Sequence, residues 1–115
     1  MAIKTLTPVK CGYNEIKEFD FEAPTAVGDG CEFVFPAKDE ETQIIVFNSN
    51  ASTAGTVTVK VPENGHYAAA GEDLKLSIAA SKYAIIRLES ATYANKEEKV
   101  KIVTSAADVK VAVLY

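Results

Sequence analysis

Apolar and polar residues alternate along much of this chain. Over residues 56–61, Val57, Val59 and Val61 fall on one side of an extended backbone, with Thr56, Thr58 and Lys60 on the other. Residues 74–78 repeat the pattern with Leu74, Leu76 and Ile78 against Lys75 and Ser77. Residues 109–115 repeat it with Val109, Val111, Val113 and Tyr115. A period of two marks a strand with one dry face and one wet face. Two segments depart from it: 42–47 contains the apolar run Ile44-Ile45-Val46-Phe47, and 83–88 contains Ile85-Ile86. Such runs suit strands covered on both faces, at the centre of a sandwich or against a partner.

Further strands are predicted at 31–35, where Cys31, Phe33 and Phe35 alternate until Pro36 ends them, at 100–103, and at 15–21, where Phe19 and Phe21 alternate with charge. Pro8 keeps residues 1–14 out of the middle of a sheet, so this stretch reads as an edge strand or extended arm carrying Ile3, Lys4 and Leu6. Turn residues punctuate the rest: 23–30 with Pro24, Gly28 and Gly30, the charged turn 38–41, the polar loop 48–55, and the long stretch 62–71 that starts Pro62-Glu63-Asn64-Gly65. Residues 79–82 and 90–98 complete the set. Strands 42–47 and 56–61 read as a hairpin, and 105–108 as a compact hairpin connection between 100–103 and 109–115. No stretch of about 10 residues carries a helical period. Eight or nine short strands with little or no helix predict an all-β fold: a single antiparallel β-sandwich of jelly-roll or Ig-like Greek-key type, with the arm at 1–14 and the sandwich at 15–115. The chain has no Trp, which excludes the Cys–Trp–Cys pattern of a true immunoglobulin domain.

A length of 115 residues fits one domain. The net charge is −4, and the basic residues are scattered and often sit beside acids, as in Lys96-Glu97-Glu98-Lys99. That is a mixed soluble surface and not the basic footprint of a nucleic-acid binder. No apolar run approaches the roughly 18 residues of a membrane span, and 1–5 leads into polar sequence without the apolar core of a signal peptide. The expectation is a protein made in, and kept in, a cytoplasm, with neither nucleic acid nor membrane as partner. Cys11 and Cys31 fit no zinc spacing. In a reducing compartment both are expected as free thiols, Cys31 as a small core residue, the alternative being a bridge between the N-terminal segment and the first core strand.

The candidate chemistry is thin. His66 is the sole histidine, with Glu63 near it in sequence, and nothing completes a triad, so it reads as a loop histidine. Asp39-Glu40-Glu41 lacks both the alternate ligand spacing and the glycine of a calcium loop. Gly28-Asp29-Gly30 lacks the Lys-Ser/Thr ending and following helix of a phosphate loop. Asn50-Ala51-Ser52 matches a glycosylation acceptor by chance, in the absence of a secretory signal. No catalytic, cofactor-binding or metal-binding residue is expected, and no cofactor. Tyr67 and Tyr93 fall in predicted loops, where exposed aromatics serve as interface anchors.

One stretch carries a resemblance. From Gly28 to Val61 the chain runs through Gly-Asp-Gly, a strand with phenylalanines, an acidic turn, Thr-Gln-Ile-Ile-Val-Phe-Asn-Ser-Asn and then Thr-Val-Thr-Val-Lys-Val. It closes on Val109-Lys110-Val111-Ala112-Val113-Leu114-Tyr115. This resembles the small capsid decoration, or cement, proteins of tailed bacteriophages, over most of residues 28–115. The resemblance implies a non-enzymatic virion protein, made and assembled in the host bacterial cytoplasm. It would bind the outside of an icosahedral shell and bridge major capsid protein subunits as a homo-oligomer, trimer or dimer. Many weak copies on a symmetric lattice reinforce one another. The partner-binding residues expected on this reading are Ile3, Lys4 and Leu6 in an arm at 1–10 that adds to a capsid strand, His66 and Tyr67 in the loop 62–71, and Tyr93. Two alternatives stand beside it. One is another phage structural part such as a head fibre, connector or tail protein. The other is a ligand- or carbohydrate-binding sandwich, against which the lack of Trp counts.

Overall fold

A computed structural model describes residues 3–23, 30–36, 41–61, 73–89 and 93–115. The fold is all-β, with eight strands in two sheets and, among the described residues, no complete helix. The strands are β1 (Lys4–Thr5), β2 (Cys31–Val34), β3 (Gln43–Asn48), β4 (Gly55–Val59), β5 (Leu74–Ile78), β6 (Tyr83–Ile86), β7 (Lys99–Thr104) and β8 (Val109–Leu114). One sheet has five strands in the order β1-β2-β7-β4-β5, the other three in the order β6-β3-β8.

The alternating residues supply the core. Phe33, Val57, Val59, Val100 and Ile102 from the wide sheet meet Ile44, Val46, Val109, Val111 and Val113 from the narrow one, all buried. Each such side chain contributes about 1.5–3 kcal/mol by leaving water. Phe33 also stacks on Phe35, with ring centroids 6.0 Å apart.

Both predicted hairpins are corrected. β3 and β4 lie in different sheets, as do β7 and β8. Each connection crosses the roughly 10 Å between sheets instead of turning back along one ladder. The polar composition of the 48–55 loop serves that crossing. Asn48, buried at the end of β3, donates through Nδ2 to the carbonyls of Thr53 (2.9 Å) and of Ile78 in the opposite sheet (3.1 Å), and its Oδ1 accepts from Asn50 N–H (3.1 Å). The Asn50 Oδ1 then accepts from the backbone N–H groups of Ser52 and Thr53, each at 2.9 Å. Gly55 follows because a methyl group there would collide with Val109 Cγ2. At Gly30 the backbone φ is +80°, and a Cβ would lie 2.7 Å from the Ile102 carbonyl oxygen, so only glycine fits comfortably.

The strand predicted at 15–21 does not form. Residues 15–20 are exposed, and the pairing in this region is one bridge between Glu22 and Val111. The ladder is not wholly antiparallel either, since β1 runs parallel to β2. Residues 3–11 tie the two sheets together along one side. Lys4 N–H donates to Gly30 (3.1 Å) and Leu6 N–H to Glu32 (2.8 Å) on the wide sheet. Past Pro8, Val9 N–H donates to Val113 (2.9 Å) and Cys11 N–H to Tyr115 (2.9 Å) on the edge of the narrow one. Leu6, between these anchors, is 3% exposed.

Both cysteines are free thiols, Cys11 exposed and Cys31 buried. Burial first, and the Glu22 carboxylate second, push the Cys31 thiol from its ordinary value of 9.0 up to about 11. The folded state therefore holds its proton through a range where the unfolded chain loses it. The resulting stabilisation is complete below pH 9.0 and is lost as pH rises through about 11. Two outcomes follow. A thiol reagent at pH 8 modifies Cys11 alone until the protein is denatured, and chemical denaturation midpoints fall between pH 9 and 11 more steeply than in Cys31→Ala.

Candidate partner-binding surface

The two sheets differ in width, and that mismatch generates the exposed apolar surface. On β5, Leu74 and Leu76 stand opposite the buried Val59 and Val57, so they face inward. They are nevertheless 40% and 42% exposed, because the narrow sheet does not extend far enough to cover them. The dry face predicted for 74–78 is dry only at Ile78. A groove of about 270 Å³ runs between β5 and β6, lined by Val57, Leu74, Leu76, Ile85 and Ile86 with Lys75 and Arg87 at its margin. Both flanking strands are sheet edges among the described residues. The opposite edge of the narrow sheet, β8, is covered by the bonds from residues 9–11 and 22.

The outer face of the narrow sheet continues this surface. The cross-strand pairs Phe47↔Tyr83 and Ile45↔Ile85 place four large apolar side chains on it. Phe47 and Tyr83 stack with centroids 4.4 Å apart and an interplanar angle of 16°. Phe21 lies against both, at 5.7 Å and 6.0 Å, and Phe19 extends the cluster at 5.5 Å from Phe21. Tyr83 is 64% exposed and Ile85 60%. The prediction that 83–88 is covered on both faces is thus corrected: Ile86 is buried and Ile85 is open. On 42–47 the outward Ile45 and Phe47 are only half-buried. An apolar strip of this kind is where soluble proteins bind partners.

The outer face of the wide sheet is its chemical opposite. Thr58, Lys60, Lys75, Lys101 and Val103 border a shallow depression of about 370 Å³ with Asp73. Lys60 Nζ lies 2.8 Å from Asp73 Oδ2, and that bond first, with the Val61 N–H second, holds the Asp73 carboxyl below its ordinary range. An exposed pair of this sort contributes at most about 1 kcal/mol. This is a solvated polar face.

Of the residues expected from sequence to bind a partner, the described ones, Ile3, Lys4, Leu6 and Tyr93, do not form an exposed surface. Ile3 is half-buried and Lys4 sits in β1, with Nζ 3.7 Å from Glu22 Oε1. Leu6 is in the core. Tyr93 packs partly buried against that core. His66, Tyr67 and the acidic turn at Asp39 and Glu40 lie outside the described residues. Sequence reading missed Phe21, Phe47, Tyr83 and Ile85 as a surface. The signal was present: Ile45 and Phe47 lie on the face opposite Ile44 and Val46, which alone suffice for the core. Among the described residues, no group of three or more His, Cys, Asp or Glu side chains could hold a metal ion, and no helix is long and apolar enough to cross a membrane. No family model, curated protein or solved structure matches the chain.

Proposed function

We propose that this domain is a non-enzymatic structural protein of a tailed-phage particle, which decorates the outer surface of the icosahedral shell and stabilises it by bridging major capsid protein subunits. The observation that carries the docking role is the open apolar face of β3 and β6, with Tyr83 stacked on Phe47 and Ile85 beside them. Burying such aromatics against a partner yields more binding free energy per residue than the polar faces can. The resemblance of residues 28–61 and 109–115 to decoration proteins supplies the kind of partner. Low affinity per copy suffices, because a lattice presents the same site many times.

Copy number in purified particles, by quantitative mass spectrometry, tests this. One copy per major capsid subunit, or one per few, is the expected ratio. A handful per particle would move the chain to the neck, tail or fibres, and absence from particles would refute the virion role. The aromatic platform itself favours one second reading, a carbohydrate-binding sandwich, since sugar rings stack on exposed tyrosine. Binding on a glycan array that is lost in Tyr83→Ala would support that reading over decoration.

A further inference from the structure

Tyr13 and Ile16 are 99% and 98% exposed, the most exposed of the large hydrophobic residues among the described ones. They project from a segment, 12–20, whose two ends are pinned to the same strand: Cys11 N–H donates to Tyr115 (2.9 Å) and Glu22 N–H to Val111 (2.8 Å). Both anchors lie at the β8 edge of the narrow sheet, and within the segment Phe19 packs back onto Phe21, 5.5 Å away. It is acidic, with Glu15, Glu18 and Asp20 against one Lys17, which pairs with Glu15 at 3.1 Å. The β5–β6 groove lies at the other edge of that sheet, with β3 between them. Its walls are Leu74, Leu76 and Ile85, and Lys75 stands at its rim.

We infer that a second copy of this chain occupies the groove: Tyr13 and Ile16 of one copy insert between β5 and β6 of the next, with Glu18 and Asp20 meeting Lys75. Two observations select this occupant. The apolar groove with its basic rim and the apolar knobs with their acidic flanks are complementary in charge, in a chain whose net charge is −4. They also sit at opposite edges of one sheet, so the knob of a copy does not fill that copy's own groove. Each copy gives one knob and receives one, either reciprocally in a two-fold pair or head to tail. Head to tail, the contact closes into a small ring if the rotation permits and grows into an open chain if not. The contact covers the exposed β5 and β6 edges, which are otherwise an aggregation hazard. It shares Ile85 with the outer face that carries Tyr83 and Phe47 but does not use that stacked pair, and it holds whatever the pair binds.

Sedimentation velocity on the full chain over a concentration series tests the inference without any shell. Wild type is expected to associate reversibly, and more weakly at high salt. The knob variant Tyr13→Ser/Ile16→Ser and the groove variant Leu76→Lys should each raise the dissociation constant by about tenfold or more. Mixed in equal amounts, the two variants each retain the half that the other lacks. They should form a one-to-one dimer that grows no further, which a misfolded variant could not do. A wild type that stays monomeric throughout, or variants that associate as wild type does, would overturn the inference.

Discussion

Leu6→Ala is expected to lower the unfolding free energy by about 2–5 kcal/mol, the range for emptying a buried leucine site. Leu6 is 3% exposed and sits where the chain passes from the wide sheet to the narrow one. Deleting residues 1–11 should do more. It removes the bonds from Lys4 to Gly30, Leu6 to Glu32, Val9 to Val113 and Cys11 to Tyr115, together with the return bond from Tyr115 N–H to Val9 (3.0 Å). β2 would become a bare edge, and β8 would keep only its bridge to Glu22. Since a domain of this size holds only about 5–15 kcal/mol in reserve, the truncated chain should lose cooperative thermal unfolding. Circular dichroism melts of the two variants check this. A truncated chain melting within a few degrees of wild type would show that the segment is dispensable to the fold.

Asn48→Ala is expected to cost about 2–4 kcal/mol, for a different reason. The side chain fills little apolar volume, but its removal leaves the buried carbonyl of Ile78 and the part-buried carbonyl of Thr53 without this donor, and the Asn50 N–H without its acceptor. Unsatisfied buried groups of this type cost about 1–3 kcal/mol each, partly relieved where water can enter. Asn48→Asp separates hydrogen bonding from packing. The shape is retained, yet at neutral pH a carboxylate oxygen would face two carbonyl oxygens in a site that is 1% exposed. Asp is therefore expected to be worse than Ala at pH 7, and urea denaturation read as the midpoint shift distinguishes them. If Asp were the milder change, the inter-sheet bond to Ile78 would not be what holds β3 to β5.

Which parts of the fold could be read from sequence follows from what alternation measures. It reports which residues share a face, and that held at 57–59, 109–113 and 31–33, whose strands lie where the other sheet covers them. At Leu74 and Leu76 the alternation is equally regular, yet the face is open, because coverage depends on how many strands the opposite sheet has. Connections were misread for a related reason. A loop of four to eight residues can close a hairpin or cross between sheets, and local turn chemistry does not distinguish them. Asn48 decides the matter through a bond to Ile78, thirty residues away. The arm was recognised as peripheral from Pro8. The commitment of Leu6 to the core was hidden because a parallel two-residue strand leaves almost no periodic trace. The Tyr83–Phe47 platform combines residues from two strands with Phe21 from irregular chain, so no single window of sequence displays it.

The most direct test of the docking role is the binding of Tyr83→Ser/Ile85→Ser to shells purified without the protein, compared with wild type by co-sedimentation. Both side chains are mostly exposed, so the double variant should melt close to wild type. Its affinity for the shell is expected to fall by about tenfold or more, the level set by two lost anchor residues. Saturation of the shell by the variant at wild-type concentrations would contradict it, and would place the functional surface elsewhere on the domain.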